Sequence, residues 1–390
     1  MVINMKKICT KLSAVLLLAV VTCNFIASCD NGEQPTGIHT SNVVSSGIDN
    51  LLEYGSYIYF GGSKAQRYNR NTGEISNVCA DPECDGTCPL DGSIVNVCQV
   101  ADGKLFFYSF KAFEHNVIYG YQDIVTGEVV VLADLSETEA GAGEYCYYYD
   151  GYIYYVHCLL RDGGNAENPE DYEDFVCRTA LSGGNEERIV KIVGETMQLV
   201  AGGYIITFKD NSLYSYDING QNRKTLISPE QNGYTNYRGD MKYLDGKLYY
   251  TCNNGGDVEI LYRTDLESGS SERVLEYELY SYTLTDEAIY FIRYAERVFY
   301  IPDDIDTNPE AAVISTKSGP TVYKCDPDGK NVEEVYTDDI LVIFSDFTVI
   351  DNVIYGNMQR YNDTSKTLDN LGFCAADIEN GEFTAEQKSD

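Results

Sequence analysis

From about Leu51 onward, short apolar strands alternate with turn residues along the whole chain. Seven times a turn dipeptide is followed by an apolar, tyrosine-rich run. The anchors of these runs, Ile58, Leu105, Ile153, Ile205, Leu248, Ile289 and Ile354, stand 47, 48, 52, 43, 41 and 65 residues apart. A repeat of roughly 40–50 residues with four strand signals is the period of a β-propeller blade, which buries both faces against its neighbours. The fifth unit gives the grammar most clearly: 241–244 reads as strand a, Asp245-Gly246 as a turn and 247–252 as strand b. Strand c follows at 258–264, a second turn at 265–269, and strand d at 272–277.

Asp102-Gly103 and Asp150-Gly151 repeat the first turn, and Gly55-Ser56, Gly202-Gly203, Asp286-Glu287 and Asp351-Asn352 occupy it elsewhere. Two-residue hairpins demand positive φ, so Gly, Asn and Asp collect there. The second turn recurs at 69–73, 123–127, 217–220, 326–329 and 377–381. Its Asp-x-x-Gly pieces lack the further carboxylates at fixed spacing that a calcium loop supplies, so they read as hairpins. Runs such as Leu248, Tyr249 and Tyr250 are apolar on both faces, as a blade sandwiched between blades requires. The tyrosines are therefore mainly inter-blade packing with hydroxyls reaching polar partners. Subtracting an insertion at 302–319 returns the 65-residue interval to 47. The expectation is an all-β fold, a seven-bladed β-propeller with four-stranded antiparallel blades over 47–390, closed by a strand from 40–45 beside the final strand near 382–385.

The N-terminus follows a different pattern. Lys6, Lys7 and Lys11 precede an apolar run at 12–21, too short for a spanning helix, which needs about 20 apolar residues. The run ends in Ile26-Ala27-Ser28-Cys29. Residues 1–28 read as a lipoprotein signal peptide and 29–46 as a lipidated N-terminus and polar tether, with Cys29 the acylated residue. The protein is then expected outside the cytoplasm, lipid-anchored at the cell membrane. The chain carries a formal net charge of −33, and removing residues 1–28 would leave −36. Nucleic acid and anionic lipid head groups would be repelled, so membrane association rests on the acyl anchor alone. No cofactor is implied, and a monomer is favoured.

The lipobox-like end at Cys29, the run from Leu244 through Asp245, Gly246, Lys247 and Leu248 to Tyr250, and the run from Leu261 to Leu266 resemble bacterial lipoproteins. These carry a β-propeller domain similar to that of low-density-lipoprotein-receptor-related proteins. The element Cys79-Ala80-Asp81-Pro82-Glu83-Cys84 is similar to a Cys-Asp-Pro-Cys element of such lipoproteins, with Asp85 where a histidine often follows. The resemblance implies an exported propeller and assigns it no activity. Other propeller classes fit less well, because the chain has no tryptophan.

Ten of the thirteen cysteines lie beyond Cys29. Cys79, Cys84, Cys88 and Cys98 could form disulfides, hold a metal or stay as thiols. The paired Cys-x2-Cys knuckles of structural zinc sites are absent. Cys158 and Cys177 flank an acidic insertion at 162–174 and are expected to pair across adjacent strands, pinning it. Cys146, Cys252, Cys325 and Cys374 read as small core hydrophobes. The histidines are His39, His115 and His157. No Gly-x-Ser-x-Gly, His-Glu-x-x-His or phosphate-binding loop occurs, so the chain is expected not to be an enzyme.

In a four-stranded blade the b–c and d–a connections emerge on one rim. The insertions at 162–174, 302–319 and 358–370 are b–c loops and the 79–91 element is a d–a connection, so all gather there. Loops held by a rigid scaffold carry function. Glu167, Glu170, Asp171, Asp303, Asp304, Asp306, Arg360 and Tyr361 are the candidate binding residues of this rim, for a peptide, protein or glycan. A glycan-active hydrolase or lyase using paired carboxylates is the alternative, and a spacer without a ligand pocket is a third.

Overall fold

The computed structural model describes residues 43–46 and 51–385, apart from 80–87, 112–115, 136–141, 166–167, 169–170, 235, 254–258, 276–278, 295–297, 301–312, 316–319, 338–340 and 363–366. A short strand β1 (Val44–Ser45) precedes seven antiparallel sheets. Blade 1 comprises β2 (Leu52–Tyr54), β3 (Tyr57–Phe60), β5 (Gln66–Asn69) and β6 (Ile75–Asn77), with β4 (Gly62–Lys64) in its b–c connection. Blade 2 is β7 (Asp91–Ala101), β8 (Lys104–Lys111), β9 (Asn116–Asp123) and β10 (Val129–Asp134). Blade 3 is β11 (Ala142–Tyr149), β12 (Tyr152–Leu160), β13 (Tyr172–Ala180) and β14 (Glu187–Ile192). Blade 4 is β15 (Thr196–Ala201), β16 (Tyr204–Lys209), β17 (Ser212–Asp217) and β18 (Lys224–Ile227), followed by the four-residue helix α1 (Pro229–Asn232). Blade 5 is β19 (Asn236–Leu244), β20 (Lys247–Asn253), β21 (Ile260–Asp265) and β22 (Ser271–Arg273). Blade 6 is β23 (Ser281–Leu284), β24 (Ile289–Tyr294), β27 (Pro320–Cys325) and β28 (Glu333–Thr337), with a small β25 (Val298–Tyr300) and β26 (Val313–Ser315) hairpin between β24 and β27. Blade 7 is β29 (Leu341–Ile350), β30 (Val353–Asn362), β31 (Thr367–Asp377) and β32 (Phe383–Ala385).

The expected seven four-stranded blades are therefore present. All seven anchors sit in strand b of their blades with no solvent exposure. Six of the seven a–b turns have the expected positive φ, with Asp102 and Gly103 at 50° and 70° and Asp245 and Gly246 at 46° and 79°; the blade 6 turn at Asp286-Glu287 does not, and is a longer turn closed by Thr285 N–H donating to Ala288 O. The c–d turns keep their carboxylates for the backbone. Asp123 Oδ1 accepts from Val125 N, Thr126 N and Thr126 Oγ1, and Asp217 and Asp377 do likewise in blades 4 and 7. This accounts for the Asp-x-x-Gly recurrence without an ion.

The apolar core is divided among the blade interfaces. Phe106, Tyr119, Ile153, Tyr155 and Cys177 fill the space between blades 2 and 3. Tyrosine hydroxyls tie one blade to the next: Tyr147 OH donates to Gln198 O at 2.6 Å, and Tyr249 OH to Pro327 O at 3.1 Å. Fully buried Tyr59, Tyr154, Tyr250 and Tyr282 confirm that this residue mainly packs.

Ring closure differs from the sequence expectation. β1 pairs not with blade 7 but with β19 of blade 5, matching Val44 to Tyr243 and Ser45 to Lys242. Ser46 extends the pairing through N–H to Met241 O at 2.8 Å, and its hydroxyl bridges Met241 O and N. β1 lies on the channel side of β19 and also approaches β7 and β15. These residues fall in the segment read as tether, yet they belong to the compact unit His39–Asp390. Blades 7 and 1 instead meet through side chains. Ile58, Tyr68, Tyr355 and Phe373 pack together, Phe60 stacks on Phe373 at 4.9 Å, and Arg70 Nη1 meets Asp351 Oδ2 at 2.8 Å.

Candidate functional site

The two rims of the ring are built differently. On one, a–b turns are as short as two residues and c–d turns are compact. On the other, strands b and c run past their partners. β30 and β31 pair out to Asn362 and Thr367, whereas β32 covers only Cys374 to Ala376. The β25–β26 hairpin extends blade 6 on that same rim. There too, β4 crosses from blade 1 to β7 of blade 2, and Lys64 Nζ meets Asp91 Oδ2 at 2.7 Å.

Of the rim residues nominated from sequence, Asp171 is buried and committed internally. It ion-pairs with Arg161 and accepts Asn165 N at 2.8 Å, so it closes the base of the 162–174 loop and is not turned toward a ligand. Arg360 is exposed, with its guanidinium 5.1 Å from the Phe383 ring centroid. Tyr361 stands opposite Leu368 on the blade 7 hairpin. Glu167, Glu170, Asp303, Asp304 and Asp306 lie outside the described residues, as do Cys29 and Cys84.

The cysteine expectations need correction. Cys158 stands opposite Asp174 and Cys177 opposite Tyr155, three positions along the same strand. An odd offset puts two side chains on opposite faces of a sheet, so Cys158 and Cys177 do not bond each other. The 162–174 loop is instead held by Arg161, whose N–H donates to Asp171 O. Cys98 does not join Cys79 and Cys88 either. Those two pack beside Tyr59, Val78 and Leu90 between blades 1 and 2, while Cys98 faces blade 3. There its Sγ accepts Cys146 N–H at 3.5 Å. Cys146, Cys252, Cys325 and Cys374 are buried, as expected of core positions, and Cys177 is a buried thiol where a disulfide was expected.

Beneath the c–d turn of blade 3 lies a polar cluster that sequence reasoning did not assemble. Tyr155 and His157 project from β12 toward blade 2, Cys177 from β13, and Glu186 sits just before β14. His157 Nδ1 is 2.8 Å from Glu186 Oε2 and 3.1 Å from Oε1. Tyr155 OH donates to Glu186 Oε2 at 2.9 Å and shares a 3.0 Å bond with Thr179 Oγ1. Among the described residues, His157, Cys177 and Glu186 form the one group of potential metal ligands whose donor atoms all lie within 4.8 Å of one another. The Tyr119 ring of blade 2 stacks on Tyr155 at 4.6 Å and walls the cluster. Burial pushes the Cys177 thiol well up, reinforced by the Glu186 charge and hydrogen bond. Burial also raises Glu186, but hydrogen bonds from His157, Tyr155 and Cys177 together with the imidazole charge outweigh it, leaving the carboxyl below its usual range. A buried, protonated Cys177 is no nucleophile. The signal available in the sequence was register: once strands b and c of blade 3 are aligned, Tyr155 and Cys177 are opposite and His157 is two positions on.

No family model matches this chain, nor does any curated protein. Solved structures do. It is similar to puromycin hydrolase, at 13% identity over 88% of this chain and 54% of that one with a TM-score of 0.51. It is similar to a prolyl endopeptidase at 11% identity, 89% and 49% coverage and a TM-score of 0.53. It also matches oligogalacturonate lyase from Vibrio parahaemolyticus at 10% identity, 86% and 96% coverage and a TM-score of 0.46. The chain spans about half the length of the first two. The similarities to puromycin hydrolase and the prolyl endopeptidase support the seven-blade fold. The expectation that the chain is not an enzyme does not stand: puromycin hydrolase and the prolyl endopeptidase, which share this fold, are enzymes, so the fold excludes no activity. Missing nucleophile motifs were weak grounds for that expectation, since two carboxylates suffice for some hydrolases.

Proposed function

We propose that the chain is an envelope-tethered propeller that engages a peptide, protein or glycan through its loop-rich rim. The observation that carries this reading is the asymmetry of the rims: compact turns on one, extended b–c hairpins of blades 6 and 7 and the 162–174 loop on the other. The direction of β1 supports it. Antiparallel to β19, it runs from the Asp245-Gly246 turn toward the opposite rim, so the chain enters the channel from the compact side. An acyl group on Cys29 would draw that compact side toward the membrane and leave the loop-rich rim outward. With a net charge of −33, the surface favours basic ligands or ligands bridged by cations.

The test is a peptide and glycan array probed with a soluble form beginning at His39, which retains β1. Binding should disappear when the 162–170 or 302–312 segment is replaced by a short turn, and should survive changes in the a–b turns. Binding that ignores both rim replacements refutes the choice of face. Turnover of the bound ligand is the second reading, favoured by the similarity in fold to hydrolases, and the same arrays read by mass spectrometry would reveal it as cleaved products. Radiolabelled palmitate incorporation that is abolished in Cys29→Ala would test the anchor.

A further inference from the structure

We propose that His157, Cys177 and Glu186 form a binding site for a divalent transition-metal ion, zinc by ligand class, at the interface of blades 2 and 3. The three donor types are borderline to soft, which suits zinc and excludes a calcium- or magnesium-type site built on oxygen. Their donor atoms already converge within 4.8 Å, so capture needs side-chain adjustment and no backbone movement.

A second observation points the same way. His157 is 6% exposed, and its Nε2 is buried without a hydrogen-bond partner. A buried polar atom left unpaired has lost its hydration without compensation. Turning the ring so that Nε2 meets the ion would release Nδ1 from Glu186 and give the buried nitrogen its missing partner, with Cys177 and Glu186 as the other ligands.

Charge balance fits the same ion. A divalent ion bound by the Cys177 sulfur displaces the thiol proton to solvent, and thiolate, carboxylate and metal then sum to zero charge inside the interface. The Tyr155 hydroxyl or a water would complete a tetrahedron. Access is open because the Glu186 side chain is 23% exposed whereas that of His157 is 7%. Since β12 and β13 belong to blade 3 and Tyr119 of blade 2 caps the cluster, the ion would stiffen that blade interface.

The test uses the soluble chain from His39, stripped with chelator and titrated with cobalt(II). One cobalt per chain is expected, with thiolate-to-cobalt charge transfer and d–d bands of tetrahedral intensity, and zinc should displace it. Cys177→Ser should abolish the charge-transfer band. His157→Gln and Glu186→Gln should each weaken binding by more than about tenfold, the loss common even for outer-shell partners. Cys252→Ser, in blade 5, should leave the titration unchanged. Circular dichroism and unfolding midpoints confirm that each variant folds. Absence of cobalt uptake by the folded parent chain overturns the proposal, as does a charge-transfer band that persists in folded Cys177→Ser.

Discussion

Gly329 ends the c–d turn of blade 6 at φ 81°, and a Cβ added there would overlap the carbonyl oxygen of Val274 in blade 5. Val274 cannot give way easily, because its N–H is bonded to Leu261 O at 2.9 Å. Gly127 holds the equivalent place in blade 2 at φ 75° with no atom within 4 Å of its Cβ position. Alanine at either site incurs the left-handed penalty of about 1–2 kcal/mol. Only Gly329→Ala adds overpacking, about 1–3 kcal/mol. The expected losses are thus about 2–5 kcal/mol for Gly329→Ala and about 1–2 kcal/mol for Gly127→Ala. Gly220→Ala should behave like the former, since its Cβ would lie 2.6 Å from Ile189 O of blade 3. Urea unfolding of the three variants gives the comparison, with stability differences read from midpoint shifts at constant m. Equal losses at Gly329 and Gly127 would mean that blades slide apart at no cost, and the account of close inter-blade approach would fall.

Phe373→Ala removes the partner of Phe60 at the seam between blades 7 and 1, at an expected cost of about 3–5 kcal/mol; hydrogen exchange should quicken first in those two blades, and uniform quickening around the ring would count against a seam held by these side chains. Ser46→Ala strands the Met241 N–H that now donates to the Ser46 hydroxyl, for a loss of about 1–3 kcal/mol; an unchanged urea midpoint would argue that β1 adds nothing to the fold. Asp265 is held at about 2 by the Ser268 N–H and hydroxyl and by Lys247. Because its folded pKa lies below its unfolded value near 3.8, its contribution is present above that value and is lost as pH falls through about 2. Asp265→Asn should therefore flatten the acid limb of melting temperature against pH between about 4 and about 2, and an unchanged limb would refute the assignment.

The sequence by itself determined the blades. Strand alternation and two-residue turn chemistry are local properties: the residues that make a hairpin stand beside one another, and Asp150-Gly151 or Asp245-Gly246 adopts positive φ regardless of what lies across the ring. The same locality placed every strand-b anchor and put the long connections on one rim. Tertiary structure alone decided contacts that depend on register or on which blade faces which. β1 could pair with any exposed inner edge, and it pairs with β19, where Ser46 also meets Met241. Cys158 and Cys177 are close in sequence but lie on opposite faces, since a side chain's face follows from its exact pairing and a one-residue difference reverses it. Cys98 meets Cys146, 48 residues away in the next blade. His157, Cys177 and Glu186 converge only when three strands of blade 3 are aligned and blade 2 closes over them. The repeat length encodes the ring, whereas the chemistry inside it arises from side chains that no local pattern relates.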